Sequence, residues 1–112
     1  MNHLNQILLE CTVSQDAETT EKPIGTVTKI PVSYTRDCRN AKGEIVKEEV
    51  FLDIEVYGEF GKKVGASLKK GKEIRIVGRL KQDRWKDAEG KMHSRIFIIA
   101  EHIDFKKTEE EK

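Results

Sequence analysis

Lys69-Lys-Gly-Lys-Glu-Ile-Arg-Ile-Val-Gly-Arg-Leu-Lys-Gln-Asp-Arg-Trp85 opens on a basic helix end and a glycine, then alternates residue by residue. Ile74, Ile76, Gly78 and Leu80 point one way, and Arg75, Val77, Arg79 and Lys81 the other. A period of two describes a strand with one buried face. The outward face carries cations and runs on to Arg84 beside Trp85, the only tryptophan in the chain. Cations along a strand with an aromatic at its tip suit a polyanion with flat, stackable bases. The competing reading is a solvated face with a partly buried tryptophan.

The rest of the chain is taken outward from this strand. Upstream, Glu59 to Lys70 has Phe60, Val64 and Leu68 at intervals of four, which predicts a short amphipathic helix. Glu59 suits its positive end and Lys69 and Lys70 its negative end, with Gly71 placed as the left-handed cap. Gly61 and Gly65 weaken such a helix intrinsically, so packing must hold it. Before the helix, Ile45 to Tyr57 alternates over its full length. Val46, Val50, Leu52, Ile54 and Val56 are expected in the core, with Lys47, Glu49, Phe51, Asp53, Glu55 and Tyr57 outside. Gln6 to Val13 and Val27 to Tyr34 are the first two strands, the second interrupted by Pro31, which implies an edge or a bulge. Ser14 to Gly25 and Arg36 to Glu44 are expected as loops. Downstream, Lys86 to Gly90 is a hairpin loop. Met92 to Phe105 is a last strand, apolar on both faces near its middle and so central or covered on both sides.

Three strands, a helix and two strands is the element order of an OB-fold, the five-stranded, partly open Greek-key barrel that binds oligonucleotides. A small all-β sandwich with an inserted helix is the alternative. The expectation is one all-β domain over residues 1–105 and a short charged, disordered tail over 106–112. No apolar run reaches the roughly 18 residues of a membrane span, and the N-terminus lacks the pattern of a secretory signal. Cys11 and Cys38 lie 27 positions apart with no CxxC, which reads as two free thiols in a reducing cytoplasm. No nucleotide-binding, nucleophile-elbow or metalloprotease motif is present, and His3, His93 and His102 are scattered, so neither an enzyme nor a metal or other cofactor is expected.

The formal charge of +1 hides an asymmetry. Lys62 to Arg95 holds twelve Lys or Arg against four Asp or Glu, a local balance of +8 that leaves the remainder at −7. A polyanion responds to the local field rather than to the sum.

Several of these stretches together resemble the bacterial single-stranded DNA-binding protein family. The resemblance spans about residues 2 to 105. It begins with Asn5-Gln-Ile-Leu-Leu9 and the Ser14-Gln-Asp-Ala-Glu18 turn, and continues through Phe51-Leu-Asp-Ile-Glu-Val-Tyr-Gly58. It is most specific from Leu68-Lys-Lys-Gly71 through the alternating strand to Arg84-Trp-Lys-Asp-Ala-Glu-Gly90. It implies sequence-tolerant binding of single-stranded DNA in replication, recombination or repair, by a homotetramer. Trp85, Phe51 and Tyr57 are then base-stacking rings, with Tyr34 near the place of a further one. Arg75, Arg79, Lys81, Arg84 and Lys86 would hold phosphates, with Lys62, Lys63, Lys69, Lys70, Lys72 and Arg95 as a second tier. A primosome-type or RNA-binding relative of the same fold, and an oligomeric adaptor using Phe51 and Tyr57 as protein contacts, are the alternatives.

The chain departs from the family pattern at several places. Cys38 or Asp37 stands where a stacking aromatic is usual, Cys11 where a glycine is, and Ala17 where a proline is. Asp53 and Glu55 lie between Phe51 and Tyr57, where they would repel phosphate. The charged stretch Lys106 to Lys112 has no apolar recruiting tip of the kind that engages replication and repair proteins.

Overall fold

The computed structural model describes residues 1–106, so all but the first residue of the expected tail lies outside the described residues. Its elements are β1 (Ile7–Val13), β2 (Glu18–Lys22), β3 (Gly25–Arg39), β4 (Ile45–Tyr57), α1 (Glu59–Gly65), β5 (Glu73–Lys86) and β6 (Met92–Phe105). The sheet order β1-β5-β6-β4-β3 returns from β3 to β1, closing five strands into an OB-fold barrel. The closure is narrow. β3 meets β1 only at Thr12↔Ser33 and Val13↔Val32, and β4 meets β6 in parallel at Ile54↔Ile98 and Glu55↔Ile99. Among the described residues, no helix is long and apolar enough to cross a membrane.

Alternation fills the barrel. Ile30 and Val32 of β3, Ile54 and Val56 of β4, Ile74 and Ile76 of β5, and Ile98 and Ala100 of β6 form the core with Cys11, Val13 and Ile103. Four consecutive residues of β6, Phe97 to Ala100, are buried, as expected for a strand covered on both faces. The β5–β6 register slips between Val77↔His102 and Gly78↔Ala100, leaving Glu101 as the extra residue of a bulge.

The structure corrects several expectations. Part of the stretch expected as a loop, Ser14 to Gly25, contains β2, which pairs along β3 from Glu18↔Lys29 to Lys22↔Gly25. All five β2 residues are exposed, so ladder hydrogen bonds and not apolar patterning hold the strand. β3 does not stop at Tyr34 but continues to Arg39, shortening the connection to β4 to residues 40–44. The carbonyl of Pro31 accepts a 2.8 Å bond from the Ser14 amide, where the chain passes between β1 and β2. A strand residue's N and O project to the same side, so the missing donor of Pro31 falls in that gap rather than in the β4 ladder.

The helix is also shorter than its periodicity suggests. It ends at Gly65, and i→i+3 bonds from Ser67 to Val64 and from Leu68 to Gly65 turn the chain so that Leu68 is fully buried. Phe60, expected on the apolar stripe, is exposed. Gly61 lies so close to β3 and β4 that a Cβ there would sit 2.9 Å from the Val56 carbonyl oxygen. Lys62 and Lys63 therefore occupy the last turn, and Gly71, at φ +95°, belongs to a separate turn in which its amide bonds to the Val13 carbonyl. Finally, Glu55 is only 4% exposed, although its position on β4 reads as outward.

Candidate nucleic-acid interface

Strand register assembles the site. Residues paired directly across neighbouring strands share a face. On the side of the barrel wall away from the core, Phe51, Asp53, Glu55 and Tyr57 of β4 lie opposite Ser33, Pro31, Lys29 and Val27 of β3. Glu55 is level with Ile99 of β6, and Ile99, Phe97, Arg95 and His93 lie opposite Arg79, Lys81, Asp83 and Trp85 of β5. Phe51, Tyr57 and Trp85 therefore share one outer sheet face, at 66%, 37% and 46% exposure.

Two of the three rings have a local support. Trp85 stacks on His93, with centroids 5.7 Å apart and planes 22° from parallel. His93 in turn bonds through Nε2 to Asp87 Oδ2 at 2.7 Å. Asp87 also accepts from the amides of Glu89 and Lys91, each at 2.9 Å, which closes the hairpin loop. The His93 bond, helped by the Lys91 amide, holds the Asp87 carboxyl below its ordinary pKa. Tyr57 donates its hydroxyl to Glu55 Oε1 at 3.4 Å, and the Lys81 ammonium stands 5.8 Å from the ring centre. Phe51 is the most exposed of the three rings.

The cations separate into groups. Arg79 is exposed and has no ion pair among the described residues, and Lys81 lies 3.8 Å from Asp83. Both point to the aromatic face. Arg75 shares that side of β5 but pairs with Glu10 at 2.8 Å. Its hydrogen bond, with Lys106 nearby, holds the Glu10 carboxyl below the usual range. Arg84 and Lys86 fall at alternate positions, on the opposite side of β5 from Trp85. Lys62 and Lys63 stand on α1, Lys72 lies over the Phe105 ring at 5.3 Å, and Lys69 faces Asp16 at 4.0 Å. The Lys70 amide bonds to the same Asp16. Tyr34 is not with the other rings. It lies on the inner side of β3, packed against the core.

The sequence reading did not single out Lys29, 3.6 Å from Asp53, or the supports His93 and Phe97. A signal existed for two of them. Counting back across the hairpin loop from Lys86↔Met92 places His93 opposite Trp85 and Phe97 opposite Lys81. The Lys29–Asp53 pairing needs the β3–β4 register, which no local pattern supplies. Cys38, at the usual aromatic position, bonds to Glu48 Oε1 at 3.2 Å and lies on the Tyr34 side of β3.

Comparison with known proteins agrees with this fold. The family model of the Single-strand binding protein family matches residues 4–106. The single-stranded DNA-binding protein of Aquifex aeolicus is 33% identical over 101 residues, which cover 89% of this chain and 68% of that protein. The protein of the same name from Wolinella succinogenes is 29% identical over 100 residues, covering 88% and 62%. The chain thus spans about two thirds or less of most of the curated relatives it matches. Among solved structures, the Plasmodium falciparum SSB in complex with ssDNA superposes with a TM-score of 0.84 at 18% identity, covering 96% of this chain and 98% of that one. Wild-type single-stranded DNA binding protein from Thermus aquaticus gives 0.80 at 25% identity, covering 96% and 52%.

Proposed function

This chain belongs to the single-strand binding protein family, and from that premise we propose that it binds single-stranded DNA without reading its sequence. It works by holding and covering the strand, without catalysis, in replication, recombination or repair. One observation carries the reading. Three exposed aromatic rings, Phe51, Tyr57 and Trp85, lie on a single sheet face with Arg79 and Lys81 between them. Bases of any sequence present a π-face to such rings, each stack contributing roughly 1–3 kcal/mol, while cations track the backbone.

The binding step follows from the placement. A strand crossing from β4 to β5 stacks bases on Tyr57 and Trp85 and sets its phosphates toward Arg79 and Lys81. Asp53 is partly compensated by Lys29, and Glu55 and Asp83 by Arg95. The chain also associates with copies of itself, as a tetramer by resemblance to its family. Supporting this, an apolar hollow of about 330 Å³ opens between Leu9, Tyr34, Leu52, Leu80 and Ile96, and Leu80 and Ile96 are largely exposed. The edge of β1 that faces β3 is paired only at Thr12 and Val13. With two free thiols, the cytoplasm is the compartment that fits.

The test is a titration with oligo-dT read by the single tryptophan. The intact chain should show strong quenching that salt reverses. Trp85→Ala, followed by polarisation of a labelled oligomer, should bind about 5- to 150-fold more weakly with its salt slope nearly intact. Arg79→Ala/Lys81→Ala should lower the log–log slope by about 1.4, at about 0.7 per phosphate. No quenching and no mobility shift at low salt would sink the reading in favour of a protein-contact role. Matched RNA oligomers decide between the two nucleic acids, and solution mass between dimer and tetramer.

A further inference from the structure

A buried carboxylate sits in the middle of this aromatic face. The Glu55 side chain is 5% exposed, and its Oε2 accepts a 2.7 Å hydrogen bond from Arg95 Nη2. The same Nη2 lies 3.3 Å from Asp83 Oδ2, and the guanidinium carbon stands 4.3 Å from the Phe97 ring centre. Three strands meet at this one group: β4 through Glu55, β6 through Arg95 and β5 through Asp83. Burial disfavours the charged guanidinium, but the bonds and charges of Glu55 and then Asp83 outweigh it, holding the Arg95 pKa above its ordinary value.

The two carboxylates flank the stacking rings. Glu55 lies two residues from Tyr57 on the same face and accepts its hydroxyl, and Asp83 lies two residues from Trp85. A phosphodiester passing between those rings meets both negative charges unless something cancels them. A phosphate that recruited Arg95 for itself would have to strip it from Glu55, leaving a buried anion unpaired, which is strongly unfavourable. Arg79, without a described ion pair, has no such commitment.

Resting on the strand-binding reading above, we propose that Arg95 is a positioning residue for that function. It touches no phosphate; it neutralises the buried Glu55 and pins Asp83, whose other oxygen lies 3.8 Å from the Lys81 ammonium, so that the strand can cross between Tyr57 and Trp85. The face is made passable at its centre by internal neutralisation, and attractive at its margin by Arg79 and Lys81.

The experiment is an oligo-dT titration over a range of salt concentrations, comparing the parent with Arg95→Met and with Arg95→Met/Glu55→Gln/Asp83→Asn. Arg95→Met should bind at least about tenfold more weakly, since the buried Glu55 carboxylate then faces the strand unpaired and Asp83 keeps only the Lys81 ammonium at 3.8 Å. The triple variant, which has no charge left to cancel, should return to within about threefold of the parent with the parent's salt slope. Parental binding by Arg95→Met overturns the proposal. So does a triple variant that stays weak: a slope reduced by about 0.7 makes Arg95 a phosphate contact, and an unchanged slope makes it packing alone. If Arg95→Met does not fold, the triple variant decides by the same criteria, because it buries no unpaired charge. Failure of the parent itself to bind oligo-dT counts against the strand-binding reading, not against the assignment of Arg95 within it.

Discussion

Gly78→Ala tests the tightest of the glycine contacts in the barrel. A Cβ built at Gly78 would lie 2.2 Å from the Ile99 carbonyl oxygen, 3.0 Å from its carbon and 3.1 Å from the Ala100 Cα. All three atoms are backbone, so no side chain can swing aside. To reach ordinary contact β5 must retreat from β6 by roughly 1 Å beside the bulge at Glu101, stretching ladder bonds that are worth about 1 kcal/mol each. Overpacking of a dense interior adds roughly 1–3 kcal/mol, and Ile76, Ile98 and Ala100 pack at this place. The expected loss is about 3 kcal/mol, or roughly 12 °C in the midpoint for a domain of this size. Urea and thermal unfolding at one fixed protein concentration measure it, the concentration being held because self-association shifts midpoints. Gly43→Ala is the control. Its φ of +81° carries a backbone penalty of about 1 kcal/mol, but its Cβ would meet nothing within 4 Å. A Gly78→Ala midpoint within about 2 °C of the parent, or a smaller loss than Gly43→Ala, would refute the close-approach account.

The two thiols should behave differently. Cys11 is buried, which pushes its pKa up to about 11, while Cys38 is half-buried and raised chiefly by its bond to Glu48. A thiol reagent at neutral pH should modify one sulfur per native chain, Cys38, faster as pH rises, and two only in denaturant; rapid labelling of both in the native protein would contradict this. Because the folded Cys11 pKa lies above its unfolded value of 9.0, the folded protein keeps the proton that the unfolded chain releases. The resulting stability is present below pH 9 and lost as pH rises toward 11, to a total of about 2–3 kcal/mol. Cys11→Ala lacks that loss, so its stability difference from the parent should shrink over this window; a constant difference would contradict the account. Thr28→Val removes a fully buried hydroxyl whose oxygen lies 2.9 Å from that of Thr19, and should cost about 1 kcal/mol in urea unfolding. A gain in stability would show that the bond between β2 and β3 does not help to hold them together.

Wherever one face of a strand is buried and the other open, the sequence by itself determined the element. Ile45–Tyr57 has the bounds its alternation implies, Met92–Phe105, covered on both faces near its middle, has the bounds of its apolar run, and the loop from Lys86 to Gly90 sets Trp85 on the outer side of β5. Phe51 and Tyr57 are legible for the same reason: side chains two apart on a strand share a face. The period of two breaks down as a guide where burial comes from a partner distant in sequence. β2 has no apolar pattern because its ladder to β3 and polar side-chain bonds such as Thr19–Thr28 hold it. The helix periodicity from Phe60 to Leu68 says nothing of the close contact with Val56 or the turn that sends Leu68 into the core. Glu55 reads as a solvated charge until Arg95, 40 residues later, arrives from β6. Tyr34 reads as a candidate stacking ring until β3 places it on the core side. A residue's face follows from its own strand, but what covers that face follows from the strands beside it. Only the closed barrel decides those neighbours, and they gather three rings with Arg79 and Lys81 on one surface whose central carboxylates already have partners.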